Sequence, residues 1–391
     1  MKTIKLSDSI YWVGGIDWNL RNFHGYITQR GSTYNAYLII DEKITLVDTV
    51  KGYLTNEMID RIKQIVDPSK IDYVISNHVE MDHSGGLPEI MKIAKNATLI
   101  TSPNGERGLK AHYKEMEGWK YQIVKSGDSI NTGKYDIDFL LTPMVHWPDN
   151  MMSFLRQEKI LFSNDSFGQH IATSERFDDQ LPLHIILEEA QKYYANIVMP
   201  FGVQVQKELS EASKLDIKII APSHGIIWRS HIPEIVEKYK SWSSNTTKKR
   251  AIIVYDTMWG STEKIAGAIQ DAFDNKGIET VVYSAQSSHI SDIITDVLES
   301  EYICVGSPTL NNNILPTVAA FLTYLKGLAP KGRKAIAFGS FGWSGQSPDI
   351  VAEYLTSSGF QLLDTIKFKF IPDNSDLSAI TKQIEANMIQ N

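Results

Sequence analysis

Apolar and polar positions follow one rhythm in the first part of the chain and another in the last. In the first part, short β-branched runs recur at Tyr37 to Ile40, Thr45 to Asp48, Tyr73 to Ser76 and Thr98 to Thr101. Further runs follow at Asp138 to Thr142, Lys159 to Ser163 and Asp216 to Ala221. Apolar runs of this length, bounded by polar clusters, predict strands. Helical spacing shows only in stretches such as Thr55 to Val66 and Leu187 to Tyr194. Many short strands with a few helices between them predict a two-sheet α/β sandwich.

The rhythm changes after the polar run Ser243 to Arg250, which sets the expected boundary between a domain over 1–246 and a second over 247–391. Beyond it, strands predicted at Ala251 to Tyr255, Val281 to Ser284, Tyr302 to Gly306 and Lys334 to Gly339 alternate with helices. The helices are Lys264 to Phe273, Pro316 to Gly327 and Pro348 to Ser357. Regular alternation implies a parallel sheet covered on both faces. About five strands in this length suit a flavodoxin-like, doubly wound sheet.

Composition narrows the function classes. The 391 residues carry 39 basic and 46 acidic side chains, a net charge of -7 that offers no basic face for nucleic acid. Apolar stretches such as Thr317 to Leu325 fall well short of the roughly 20 residues a bilayer requires, so no membrane span is expected. Met1 to Ile10 has no continuous apolar core, so no secretory signal is expected either, and a cytoplasmic protein follows. A single cysteine, Cys304, excludes an internal disulfide and thiolate metal clusters. Any bound metal must be held by nitrogen and oxygen.

The segment His78-Val79-Glu80-Met81-Asp82-His83 directly follows a predicted strand and packs four candidate ligands into six residues. A solvated polar loop is the alternative, but it gathers repelling and desolvated groups without compensation. His146, Asp165 and His224 each follow another predicted strand. Singly, each has an ordinary reading as a packed loop histidine or a turn former. Together they make four imidazoles and three carboxylates, too many for one tetrahedral zinc and suited to two metals sharing a carboxylate. His24 and His170 lie where they could donate protons, whereas His112, His184, His231 and His289 read as surface or packing residues.

His78-x-Glu80-x-Asp82-His83 resembles the metal motif of the metallo-β-lactamase superfamily. Hydrolytic members usually carry histidine where this chain has Glu80. An anionic oxygen there makes a harder donor set that favours iron over zinc.

A second site is expected after Ala251 to Tyr255. Thr257-Met258-Trp259-Gly260-Ser261-Thr262 runs into a helix, where hydroxyls and free amides make a phosphate cradle without Lys or Arg. A plain helix cap is the simpler alternative. Two later loops, Pro308-Thr309-Leu310-Asn311-Asn312 and Ser340-Phe341-Gly342-Trp343-Ser344-Gly345, fall beyond the carboxyl ends of the next strands, where open α/β sheets bind ligands. The pattern resembles short-chain flavodoxins, which hold FMN.

The combination resembles the flavodiiron proteins over essentially the whole chain. The resemblance implies a metallo-β-lactamase-like αββα sandwich followed by a flavodoxin-like domain, with FMN and two non-haem irons. It implies His78, Glu80 and His146 on one iron, Asp82, His83 and His224 on the other, and Asp165 bridging. Some members leave the position of His83 off the metal. It further implies reduction of dioxygen to water or nitric oxide to nitrous oxide, with His24, Tyr193, Tyr194 and His170 near the substrate. An external donor is expected (rubredoxin, a reductase or reduced deazaflavin), and a head-to-tail homodimer or dimer of dimers. The rival reading is a two-zinc hydrolase with a flavodoxin-like sensor domain.

Overall fold

The computed structural model describes residues 2–114 and 118–389. It divides into two compact units. One comprises Met1–His24, Thr28–Tyr193 and Val203–Lys240; the other comprises Gly25–Ile27, Tyr194–Gly202 and Ser241–Asn391.

The first unit is an αββα sandwich. One sheet has seven strands, ordered Ile4–Ser7, Ile10–Trp12, Tyr37–Ile39, Thr45–Val47, Tyr73–Ile75, Thr98–Thr101 and Lys120–Ile123. The other has five, ordered Ser129–Asn131, Asp136–Leu141, Met151–Leu155, Ile160–Asn164 and Ile219–Pro222. Side chains alternate across a strand, so each run serves two cores. Leu38, Leu46, Val74 and Leu99 pack with Met58, Ile62, Leu87 and Ile90 of the covering helices. Their neighbours Tyr37, Ile39, Val47, Ile75 and Ile100 face the second sheet, among Ile137, Phe139, Met151, Ile160 and Phe162. Burial on both faces explains why these strands read as continuous apolar runs.

The second unit is a five-stranded parallel sheet in the order Glu279–Ser284, Lys248–Tyr255, Ser300–Gly306, Lys334–Phe341, Gln361–Lys369. On one face Ile253, Cys304, Ile336 and Phe338 pack with Ile265, Ile269 and Phe273 of helix Ser261–Asp274 and with Ile380 and Ile384 of helix Asn374–Ile389.

Some elements differ from the sequence reading. The polar run after Ser243 already forms the start of a strand at Lys248, because that strand end is exposed and Lys248 pairs with Glu299. The fifth strand, Gln361–Lys369, has several half-exposed residues and so lacks a clean apolar run. The helix expected over Leu187 to Tyr194 spans Leu183–Tyr193, and Tyr194 opens a π-helical turn assigned to the second unit.

Glu208, on helix Gly202–Ala212, is buried, and neither carboxyl oxygen has a hydrogen-bond partner among the described residues. Burial pushes its pKa from 4.5 up to about 8 despite the nearby Ser166 hydroxyl. The native state therefore keeps a proton that the unfolded chain releases, so this group's stabilisation is complete below pH 4.5 and is lost as pH rises to about 8. A shift of this size corresponds to a loss on the order of 5 kcal/mol. Glu208→Gln should flatten the fall in urea midpoint between pH 5 and pH 9. An unchanged pH slope in the variant would contradict this account.

Candidate metal and flavin sites

The metal residues stand where strands of the sandwich end. After Tyr73–Ile75 the chain turns through Asn77, whose backbone N–H and side-chain amide both donate to buried Asp48, at 2.8 and 3.0 Å. That anchor presents His78 and Glu80, and the short helix Met81–Ser84 then carries Asp82 and His83. The Thr49 N–H and hydroxyl both donate to the His83 carbonyl, tying the helix down. Asp165 comes directly after Ile160–Asn164, in a turn held by the Tyr239 hydroxyl on the Phe167 N–H at 2.7 Å. His224 follows Ile219–Pro222, and its turn needs Gly225. That glycine has φ +77°, and a Cβ there would lie 2.1 Å from the Gln169 side-chain oxygen.

These turns bring all seven side chains together in two groups: His78, Glu80, His146 and Asp165, and Asp82, His83 and His224. Asp165 stands between them. Its Oδ2 lies 3.3 Å from His146 Nε2 and 3.7 Å from His78 Nε2, while Oδ1 lies 3.0 Å from His83 Nε2 and 3.6 Å from His224 Nε2. Glu80 Oε2 is 3.4 Å from both His78 Nε2 and His146 Nε2, and Asp82 Oδ2 is 3.3 Å from His224 Nε2. All four imidazoles turn Nε2 toward the carboxylates.

The chemistry of this set fits a metal pair. Both oxygens of Asp82 and of Asp165, and both ring nitrogens of His83, are buried without a hydrogen-bond partner among the described residues. Uncompensated buried charge is costly, and metal coordination supplies the missing partners. With no metal, burial works to neutralise the histidines, but the surrounding carboxylates outweigh it. His78 and His146 rise to about 10 and His83 to about 9, while Glu80 and Asp165 are held well below the usual carboxylate range by the facing imidazoles despite their burial. These imidazoles must therefore shed protons when metal binds, so affinity rises with pH.

Around the pair, His24 Nε2 lies 2.9 Å from Glu80 Oε1 and its side chain is 71% exposed. Glu80 and His146 are also slightly exposed, so the pocket opens on their side. The buried His170 ring lies 4.8 Å from that of His224, and Tyr193 lies 5.1 Å from His170. Burial, with His224 next in effect, keeps His170 well below its ordinary pKa. Tyr194 packs against Trp242 at a tilt, with ring centroids 5.2 Å apart, within the second unit. Three outer partners were not singled out from sequence: Asp149 on His78 Nδ1, the Thr33 carbonyl on His224 Nδ1, and Ser32 on His170 Nδ1. Asp149 had a signal, standing three residues after His146; the Thr33 carbonyl, as backbone, had none. His112 and His184 are exposed, His231 pairs with Glu234, and His289 caps the helix Ile290–Val297.

In the second unit, loops beyond three parallel strands line a cavity of about 730 Å³, within the range of small-ligand sites. Met258, Trp259 and Ser261 come from the first loop, Pro308 to Asn312 from the second, and Ser340 to Trp343 from the third. Thr257, Gly260, Thr262, Ser344 and Gly345 are not among the lining residues, although Thr257 accepts the Gly260 N–H at 3.0 Å and the Thr262 hydroxyl bonds that of the lining residue Ser340 at 2.9 Å. Gly260, at φ +82°, makes the sharp turn that starts helix Ser261–Asp274. Phe370 and Ile371 also line the cavity, although nothing in their local sequence marks them. Trp259 and Trp343 are 90% and 82% exposed at its edge, an unusual state for large aromatic faces and one suited to a flat ring. None of the lining residues is Lys or Arg, so the phosphate of FMN would meet backbone amides and hydroxyls at the helix start.

A two-metal donor set on a lactamase-type sandwich, carried with a flavodoxin-type domain, defines a flavin- and metal-dependent oxidoreductase. Residues 33–225 match the family described as ODP family beta lactamase, and residues 253–383 match flavodoxin. The chain is 46% identical to a nitric oxide reductase of Moorella thermoacetica, over 92% of this chain and 91% of that one. Rubredoxin oxygen:oxidoreductase from Desulfovibrio gigas superposes with a TM-score of 0.96 at 39% identity, covering 99% of each chain. The flavodiiron protein of Giardia intestinalis gives 0.94 at 36% identity, covering 100% of this chain and 98% of that one. The chain belongs to the flavodiiron protein family, and its cofactors are FMN and a diiron pair. The zinc hydrolase alternative is not favoured, since these relatives are oxidoreductases. Among the described residues, no helix is long and apolar enough to cross a membrane.

Proposed function

We propose that His78, Glu80 and His146 hold one iron, that Asp82, His83 and His224 hold the other, and that Asp165 bridges them. The observation that carries this reading is the division of Asp165, one oxygen toward each group of imidazoles. The reaction is reduction of dioxygen to water or of nitric oxide to nitrous oxide, in keeping with relatives named as a nitric oxide reductase and a rubredoxin oxygen:oxidoreductase. When bound, reduced FMN and a diferrous pair supply two electrons each, matching the four that dioxygen needs and exceeding the two needed by two nitric oxide molecules.

The chain's own residues handle position and protons. Asp82 and His83 stand on a short helix and the other donors on loops, and buried hydrogen bonds fix the segments around His78, His83 and Asp165, which gives the donors one arrangement. His24, exposed and bonded to Glu80, carries protons from solvent to the open side of the pocket. Burial, with the charge of Asp165 next, keeps the Tyr193 hydroxyl protonated, and Tyr193 and His170 together fix the ring of His224. In the flavin site, amides from Thr257 to Thr262 take the phosphate, the loop Pro308 to Asn312 reads the ring edge, and Trp259 and Trp343 flank the ring with Ser340 to Gly345 closing the loop. Electrons come from an external donor: rubredoxin, a reductase or reduced deazaflavin. The working unit is a head-to-tail homodimer, in a cytoplasmic setting.

One experiment tests the reading. The purified protein should contain FMN and two irons per chain, and after photoreduction it should consume dioxygen or nitric oxide. One of reduced rubredoxin, a reductase and reduced deazaflavin should sustain turnover. Mixing a metal-site variant with a flavin-site variant should restore part of the rate through heterodimers. Zinc in place of iron, or flavin oxidation without gas consumption, would defeat the proposal.

A further inference from the structure

The ligand imidazoles differ in what stands behind them. A histidine that binds metal through Nε2 must carry its proton on Nδ1, and the acceptor of that proton sets both ring orientation and donor strength. His78 Nδ1 donates to Asp149 Oδ2 at 2.8 Å. The same oxygen accepts the Val79 backbone N–H at 2.8 Å, so Asp149 fixes the ring and the main chain that carries it. His224 Nδ1 instead donates to a neutral acceptor, the Thr33 carbonyl, at 2.8 Å. His83 Nδ1 is buried with no hydrogen-bond partner among the described residues. Of these three rings, only that of His78 hydrogen-bonds a carboxylate through Nδ1.

Asp149 is itself 3% exposed, and its main-chain carbonyl accepts the Ser102 hydroxyl at 2.7 Å. It lies three residues after His146, so a single loop supplies both a donor of the Glu80 group and the support of its partner His78. The carboxylate is thus held rigidly rather than sampled from solvent. Charge-assisted hydrogen bonds are roughly twice as strong as neutral ones, and the negative charge raises the electron density that His78 offers through Nε2.

We infer that Asp149 is a positioning residue that strengthens His78 as an imidazole donor, and so selectively favours the ferric state at the Glu80-side iron. This rests on the ligand assignment proposed above. Two local effects act the other way: His24 draws on one oxygen of Glu80, and Asp82 gives undivided charge to the second group. The inference therefore concerns what Asp149 adds at one iron, not which iron is oxidised first. In an oxidative titration of the diferrous protein each iron passes one electron to the mediator, and Asp149 makes that loss easier at one of them.

Asp149→Asn is the discriminating variant, because its carbonyl oxygen can still accept both N–H groups while the charge is gone. Wild-type and variant proteins would be compared by iron content and by a redox titration followed by electron paramagnetic resonance of the mixed-valence state. We expect one of the two iron couples to move to higher potential and the other to stay in place. Affinity at one metal position should fall about 10- to 100-fold, the usual cost of losing an outer partner of a metal-bound histidine. FMN content and flavin potentials should be unchanged. Asp149→Ser, neutral and smaller, gives a second reading if the asparagine variant does not fold. Failure of both to fold would make Asp149 a fold residue and overturn the inference. Wild-type iron potentials and affinity in a folded variant, or equal shifts at both irons, would also overturn it. A wild-type protein without two irons would instead defeat the ligand assignment, so the two failures remain distinguishable.

Discussion

Asp165→Ala is expected to empty both metal positions at once while leaving the flavin in place. Among the described residues, Asp165 is the one side chain that faces both groups: Oδ2 lies 3.3 Å from His146 Nε2 and Oδ1 lies 3.0 Å from His83 Nε2. Its loss removes an anionic donor from each metal together with the only negative charge between two cations. Loss of an outer partner alone costs about 10- to 100-fold in metal affinity, so loss of a shared donor should cost at least about 10²-fold at each position. The fold should survive, because Asp165 is not part of the apolar core and the turn around it is held by Tyr239 on the Phe167 N–H. Iron content should fall from two per chain to well below one, with gas consumption at background. Photoreduction of FMN should proceed at the wild-type rate. Asp165→Asn, which keeps the shape and loses the charge, should lie between. Full iron content and wild-type gas reduction in Asp165→Ala would exclude a bridging role.

The two halves of the fold differed in how openly the sequence announced them. Parallel strands buried on both faces must be apolar throughout, so Ile252 to Tyr255 and Ile303 to Gly306 stand out as runs. Edge strands escaped notice because half of their surface is wet: Ile4–Ser7 and Lys120–Ile123 border the seven-stranded sheet and have no fully buried residue. The metal residues were legible for a different reason. Four potential ligands crowd into six positions, and the other three recur on loops that follow strands, where a rigid scaffold carries function. What surrounds them was less so. The Thr33 carbonyl is a main-chain atom, and no residue type betrays its use. Phe370 and Ile371 reach the flavin cavity from the far end of the fifth strand, a strand whose own pattern is weak. Asp149 was the accessible omission: an acid in a tight loop behind a histidine can support a neighbouring ligand as readily as end a turn.

Glu80→His tests why this pocket suits iron. Histidine has a similar reach, so the sandwich should still fold and still bind two metals. The charge is what changes. Glu80 Oε2 faces His78 and His146 at 3.4 Å, while Oε1 accepts His24 at 2.9 Å. Replacement leaves two carboxylates among five imidazoles and deprives His24 of its acceptor on the open side of the pocket. The missing anion interacts more strongly with a trivalent than with a divalent ion, so the ferric state loses more stabilisation than the ferrous state. Imidazole-rich sets accept zinc readily, and metal content should drift from iron toward zinc. FMN content and flavin reduction should stay close to wild type, since the flavin loops belong to the other compact unit. Gas reduction should fall by at least about 10²-fold, the order seen when a preorganised electrostatic group is removed from an active site. Metal analysis, the potential of the iron pair and gas consumption by the photoreduced variant together check this expectation. A variant that retains its iron and reduces dioxygen or nitric oxide at the wild-type rate would show that the carboxylate at this position does not tune the metal pair.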